Sequence, residues 1–189
     1  MFIVHFVNLI RPAFPLPNQF SRKGDAQMTL TKEEEEYFQS CTAELLRSPE
    51  VQKMGTLPQH ANISCLEHSV SVAYYSYLTC RRCGIRADYR SLIRGALLHD
   101  FFLYDWHCDG SGEGLHAFTH PKTALKNAEQ RFPLNDMERD IIVKHMWPLT
   151  VAPPKYRESL IVSCSDKFCS VIETLRLYPK FISRHTYGG

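Results

Sequence analysis

An all-α fold is the class this sequence predicts, on three observations. From Met28 onward apolar residues recur at helical spacing in every long segment, and capping and stop signals bound those segments. No run of alternating polar and apolar residues is long enough to demand a strand. The composition, 189 residues with 44% hydrophobic and 22% charged, is that of one globular domain whose core needs no staples. A compact helical bundle of about six to seven helices follows.

Each element has its own signal. Residues 1–27 open on the apolar MFIVHFVNLI, which is too short to span a bilayer and has neither a basic start nor a clear small-residue cleavage site. They read as a poorly ordered extension ahead of a single domain over 28–189. Thr31 with Glu34 predicts a capping box, and Glu33 to Glu36 put negative charge at the positive end of a helix continuing through FQSCTAELLRS. The four-glutamate run therefore reads as a solvated first turn. A short helix over 49–54 and a loop over 55–62 come next.

The helix over about 64–83, stopped by Gly84, is apolar round most of its circumference, with Leu66, Val70, Ala73, Tyr77 and Cys80 on one stripe. A second stripe carries Cys65, His68, Val72, Tyr75 and Thr79, so this helix is expected to be central. The helix over about 88–104 surrounds His99 and Asp100 with Leu97, Leu98, Phe101 and Phe102. Beyond a glycine-rich loop, Pro121 suits the first turn of a helix reaching about Phe132, with His120 just before it. Asn135 caps a helix that contains His145 and ends before Pro148. The last helix spans about 156–177 and holds Asp166 among apolar neighbours.

Charge and cysteine usage narrow the function classes. Twenty-two Lys plus Arg against twenty Asp plus Glu leave a net charge of +2, too little to hold a nucleic-acid duplex. Seven scattered cysteines, an odd number, read as reduced thiols of a cytoplasmic protein rather than a disulfide framework. The CxxC of Cys80 and Cys83 has no second pair and no HxxxH to complete a zinc site, so it reads as structural. Asp105, His107, Asp109 and Gly110 imitate the start of a calcium loop, but the twelfth position is His116 where a Glu belongs. That segment reads as a loop in which Asp105 or His116 touches substrate.

What the helices bring inward points to a metal. His68, the pair His99 and Asp100, His145 and Asp166 lie on four largely apolar helices, and His120 sits at the mouth of a fifth. Imidazole with carboxylate is a ligand set for a divalent transition metal such as iron or manganese, and a cation is the partner that an ionised, buried Asp100 and Asp166 require. An anionic substrate would need cationic contacts, for which Arg94, Lys122, Lys144 and Lys167 are the candidates; Lys144, beside His145, is the best placed.

His68 in CLEHSVSVA, His99 and Asp100 in RGALLHDFF, and Asp166 in IVSCSDKF stand in the order His, His-Asp, Asp. In this the chain resembles the HD-domain superfamily of metal-dependent phosphohydrolases over roughly residues 60–175. The resemblance implies a first metal held by His68, His99, Asp100 and Asp166. It also implies attack of metal-bound hydroxide on a nucleotide or other small phosphate ester, with Asp100 and Lys144 in catalytic roles. Some members hold a second ion bridged by Asp100, and His120 and His145 stand where its further ligands would come. The adjacent histidines and Gly-Tyr-Pro signature of the two-metal cyclic-dinucleotide branch are absent, and FFLYDWH replaces its lysine after the dipeptide, so one or two ions stay open. A catalytically silent metal-binding or ligand-sensing domain and a di-iron oxygenase of the same type remain alternatives. The sequence is silent on oligomeric state.

Overall fold

The computed structural model describes residues 29–60, 63–104 and 113–175. Among them the protein is all-α, with seven α-helices and almost no sheet. In chain order these are α1 (Lys32–Arg47), α2 (Pro49–Lys53), α3 (Cys65–Arg82), α4 (Tyr89–Leu98), α5 (Glu113–Glu129), α6 (Asp136–Lys144) and α7 (Arg157–Leu175). The proposed extension over 1–27, the glycine-rich loop up to residue 112 and the end of the last helix beyond 175 lie outside the described residues; from Glu113 the stretch read as loop is helix α5. No helix among the described residues is long and apolar enough to cross a membrane.

Local chemistry starts and stops these helices. Thr31 and Glu34 form the expected capping box on α1, and Ser64 with Glu67 and Asn135 with Glu138 form two more on α3 and α6. Gly84 ends α3 in the left-handed region at φ 65°, where a side chain would strain the backbone. The glutamate run is not wholly solvated. Glu34 is buried and paired with Arg81 (2.8 Å) and Arg82 (2.9 Å), because α1 lies against the end of α3.

Four boundaries differ from expectation. Residues Pro58–His60 and Ile63–Ser64 form a two-stranded antiparallel ladder, β1 and β2, too short for alternation to register in sequence. Helix α4 ends at Leu98, so His99 and Asp100 occupy the turn that follows it. Helix α5 begins at Glu113 and carries Pro121 in its interior. Pro121 has no N–H to give to the ladder and its ring crowds the carbonyl one turn back, so it locally interrupts the helix it sits in. Helix α6 stops at Lys144 with His145 as its C-cap.

Helix α3 is the central element and packs against α4 and α7, while α6 packs against α4, α5 and α7. The core holds Leu45, Val72, Leu92, Ile93, Leu97, Phe101, Ile141 and Val162, all fully buried. Gly95 sets the approach of α4 to α6: a Cβ there would meet the Ile141 side chain at 2.8 Å. That close approach draws the rings of His99 and His145 to 4.8 Å between centroids.

Candidate metal centre

Four elements converge on one buried cluster. His68 comes from the first turns of α3, His99 and Asp100 from the turn after α4, His145 from the cap of α6 and Asp166 from the middle of α7. His120, on α5, joins them. All six are buried, although each is polar or ionisable. Burial of this kind persists only where the groups are paired or hold an ion.

The dipeptide sits on a tight turn. After Leu98 the Phe102 N–H donates to the Asp100 carbonyl at 2.8 Å, and Leu103 adopts φ 61°, a strained conformation for a non-glycine residue. Asn127 of α5 pins the turn by donating to the carbonyls of Phe101 (3.1 Å) and Phe102 (2.9 Å). The buried Cys65 thiol donates to the Asp100 carbonyl at 3.3 Å. Burial, together with the charge of Asp100, pushes this thiol well above its ordinary pKa. Cys65 is thus packing, in keeping with a structural thiol.

Ring orientation follows from what each outer nitrogen meets. His99 Nδ1 lies 2.7 Å from the Ala96 carbonyl and His145 Nδ1 lies 2.8 Å from the Ile142 carbonyl. A carbonyl only accepts, so both Nδ1 atoms carry the proton and both Nε2 atoms face inward. His68 is held by a carboxylate instead: Nδ1 donates to Glu173 at 2.8 Å and Nε2 to Asp166 Oδ1 at 3.0 Å.

The inward-facing atoms fall into two groups that could hold a metal ion. His68, His99 and Asp166 make one; His99, Asp100 and His145 make the other, and within each group the ligand atoms lie within 4.8 Å of one another. Asp100 spans them. Its Oδ2 lies 3.4 Å from His99 Nε2 and accepts from Gln59 Nε2 at 2.6 Å, while Oδ1 lies 3.2 Å from His120 Nε2 and 3.5 Å from His145 Nε2. The two last nitrogens are themselves only 2.8 Å apart. Two buried atoms, His99 Nε2 and Asp100 Oδ1, have no hydrogen-bond partner. Orphaned atoms on adjacent residues, facing imidazole and carboxylate ligands, are the feature that a bound divalent ion satisfies, so the residues fit a metal.

Electrostatics divide the histidines. Burial disfavours the charged form of His68, but the hydrogen bonds and charges of Asp166 and Glu173 outweigh it and raise the pKa to about 9. His99 is likewise raised against its burial by the charges of Asp100 and Asp166. Against their own burial, the neighbouring imidazoles hold Asp100 and Asp166 well below the carboxylate range. His145 is pushed down to about 3 by burial first and then by the charge of His99 beside it, which leaves its Nε2 unprotonated. A metal ion competes with protons for the lone pairs of His68 and His99.

The remaining expected site residues fare differently. Arg94 is not available to a substrate: its guanidinium is buried against Glu138 (2.8 Å), Glu44 (3.1 Å) and the Pro133 carbonyl (3.5 Å). Lys167 donates to the carbonyls of His145 (2.9 Å) and Ser163 (3.2 Å), which ties α7 to the end of α6. Lys144 is half-buried at the last position of α6, and Lys122 is exposed on α5. Asp105 and the side chain of His116 lie outside the described residues.

Gln59, Asn127 and Glu173 escaped the sequence reading. Glu173 left the clearest trace, a lone acid in the apolar run SVIETL, two turns beyond Asp166.

No known protein-family model, curated protein or solved structure matches this chain.

Proposed function

We propose that this protein is a metal-dependent phosphohydrolase that cleaves a nucleotide or another small phosphate ester. The observation that carries the reading is the pair of orphaned buried atoms, His99 Nε2 and Asp100 Oδ1, set between two groups of imidazole and carboxylate ligands. The order His68, His99-Asp100, Asp166 along the chain, which resembles that of HD-domain phosphohydrolases, supports it further. A donor set of nitrogen and oxygen without thiolate suits hydrolytic metals.

In this reading His68, His99, Asp100 and Asp166 would hold the first ion, and Asp100, His120 and His145, with the shared His99 beside them, would hold a second. When bound, a divalent ion lowers the pKa of its water toward neutrality and offsets charge on the phosphoryl oxygens. The chain's own groups do the rest. The carbonyls of Ala96 and Ile142 fix the tautomers of His99 and His145 with Nε2 inward. Gln59 holds Asp100 Oδ2, which leaves Oδ1 directed at His120 and His145. Lys144, the residue before His145, is the cation offered to the substrate.

The test is metal analysis of the purified protein followed by a screen of nucleoside mono-, di- and triphosphates and dinucleoside polyphosphates. Expected are bound divalent metal and phosphate or nucleotide release that stops on chelation and returns on metal add-back. Asp166→Asn should reduce kcat far more than it weakens substrate binding. Activity that survives exhaustive chelation overturns the reading. Oxygen consumption by iron-loaded protein, in place of phosphate release, would move the assignment to an oxygenase.

A further inference from the structure

The histidines of the cluster are not supported alike. His99 and His145 each give their outer N–H to a neutral backbone carbonyl three residues back. His68 gives its outer N–H to the carboxylate of Glu173 at 2.8 Å. Glu173 is only 2% exposed, and its second oxygen, Oε1, is buried without a hydrogen-bond partner. It stands seven residues after Asp166 on α7, so one helix face supplies both a ligand oxygen and the support of the imidazole opposite it. At His145 the Lys167 ammonium donates to the backbone carbonyl at 2.9 Å. The outer support is thus an anion at His68 alone and a neutral carbonyl at His99 and His145.

We infer that Glu173 is a positioning residue that makes the two ion positions unequal, so that the His68, His99 and Asp166 position binds its ion more tightly and fills first. The inference rests on the metal-binding reading above. A carboxylate behind a ligating imidazole fixes its ring and strengthens it as a donor, and it adds a negative charge close to the cation; a backbone carbonyl fixes the ring without that charge. Loss of such an outer-shell partner typically costs about 10- to 100-fold in metal affinity.

The experiment is a manganese titration of the full chain against a competing chelator, in wild type, Glu173→Gln and Glu173→Asp. Gln keeps an acceptor for His68 Nδ1 and removes the charge. Far-UV circular dichroism and a melt in chelator establish that each variant is folded. The expected result is a tight and a weak class in the wild type, with Glu173→Gln weakening the tight class about 10- to 100-fold, the weak class within twofold of wild type, and partial recovery in Glu173→Asp. A His145→Ala background, which retains the His68, His99 and Asp166 group, should show the same loss when Glu173→Gln is added. A tight class unchanged in Glu173→Gln, or both classes weakened in parallel, overturns the inference. A folded wild type that binds no divalent ion at all overturns the metal-binding reading instead.

Discussion

Two clusters of buried charge lie less than two turns apart along the same stretch of chain, and they are built on opposite principles. At Arg94, within α4, the guanidinium meets Glu138, Glu44 and the Pro133 carbonyl, so each charge has its counterpart among the side chains around it. At His99 and Asp100, just past the end of α4, His99 Nε2 and Asp100 Oδ1 make no hydrogen bond although both are buried, and meet their neighbours only in ion-pair contacts of 3.2 to 3.7 Å. Both clusters draw on α6, through Glu138 at one end and His145 at the other. Burial of charge alone therefore does not mark a site. The mark is incomplete pairing among groups of one ligand chemistry, because an unpaired buried polar atom is costly unless something bound repays it.

The contrast can be broken most severely at His99, which belongs to both groups that could hold a metal ion. His99→Ala should abolish tight divalent-ion binding at both positions, read as metal content after dialysis by elemental analysis. Full metal content in the folded variant would remove the metal centre from the account.

Arg94→Met tests the other cluster. Leaving Glu138 buried without its cation should cost about 3 to 5 kcal/mol of stability in denaturant titrations, the usual penalty for breaking a buried pair. Metal content per folded molecule should stay at the wild-type level. A stable Arg94→Met protein that loses its ion would place Arg94 in the site after all.

A third cluster sharpens the comparison through pH. Glu34 is held down to about 2 chiefly by its hydrogen bond to Arg82, with Thr31 and Arg81 adding to it against the cost of burial. Its folded pKa lies below the ordinary 4.5, so this stabilisation is present above pH 4.5 and is lost as pH falls through about 2. With Arg81 partly in solvent, the loss should be on the order of 2 kcal/mol. Acid denaturation of wild type against Glu34→Gln checks it: the difference between the two should vanish at the acid end. A difference that persists there would show that packing, not charge, stabilises the cap of α1.

The smallest expected effect lies between the two main clusters. Gly95→Ala would press a methyl group into Ile141 at the contact of α4 with α6 and should cost about 1 to 3 kcal/mol, with some loss of metal affinity as His99 and His145 are pushed apart. A melt in chelator together with a metal titration separates the two effects.

Much of the fold could be read from local chemistry. Thr31 with Glu34, Asn135 and Gly84 act where they stand in the chain, so the starts of α1 and α6 and the stop of α3 needed no tertiary information. Periodicity likewise placed His68 and Asp166 inside apolar helices, since a titratable residue in an apolar stripe stands out in sequence.

What only the tertiary structure decided is pairing. Arg94 and Lys167 looked alike in sequence as cations near candidate ligands, but one is closed into an ion pair with Glu138 and the other caps the end of α6. Glu34 looked like one of four solvated acids until α3 brought Arg81 and Arg82 against it. The early end of α4 was equally hidden, because the turn at His99 and Asp100 is held by Asn127 of α5, distant in sequence, and leads into Leu103 at a positive φ. Gln59 and Glu173 reach the cluster from β1 and from the far turns of α7, across 41 and 105 residues of chain. The physical reason is one of range: capping and periodicity act within a turn or two of helix, whereas a hydrogen bond or an ion pair between distant residues exists only once packing has set the distance between them.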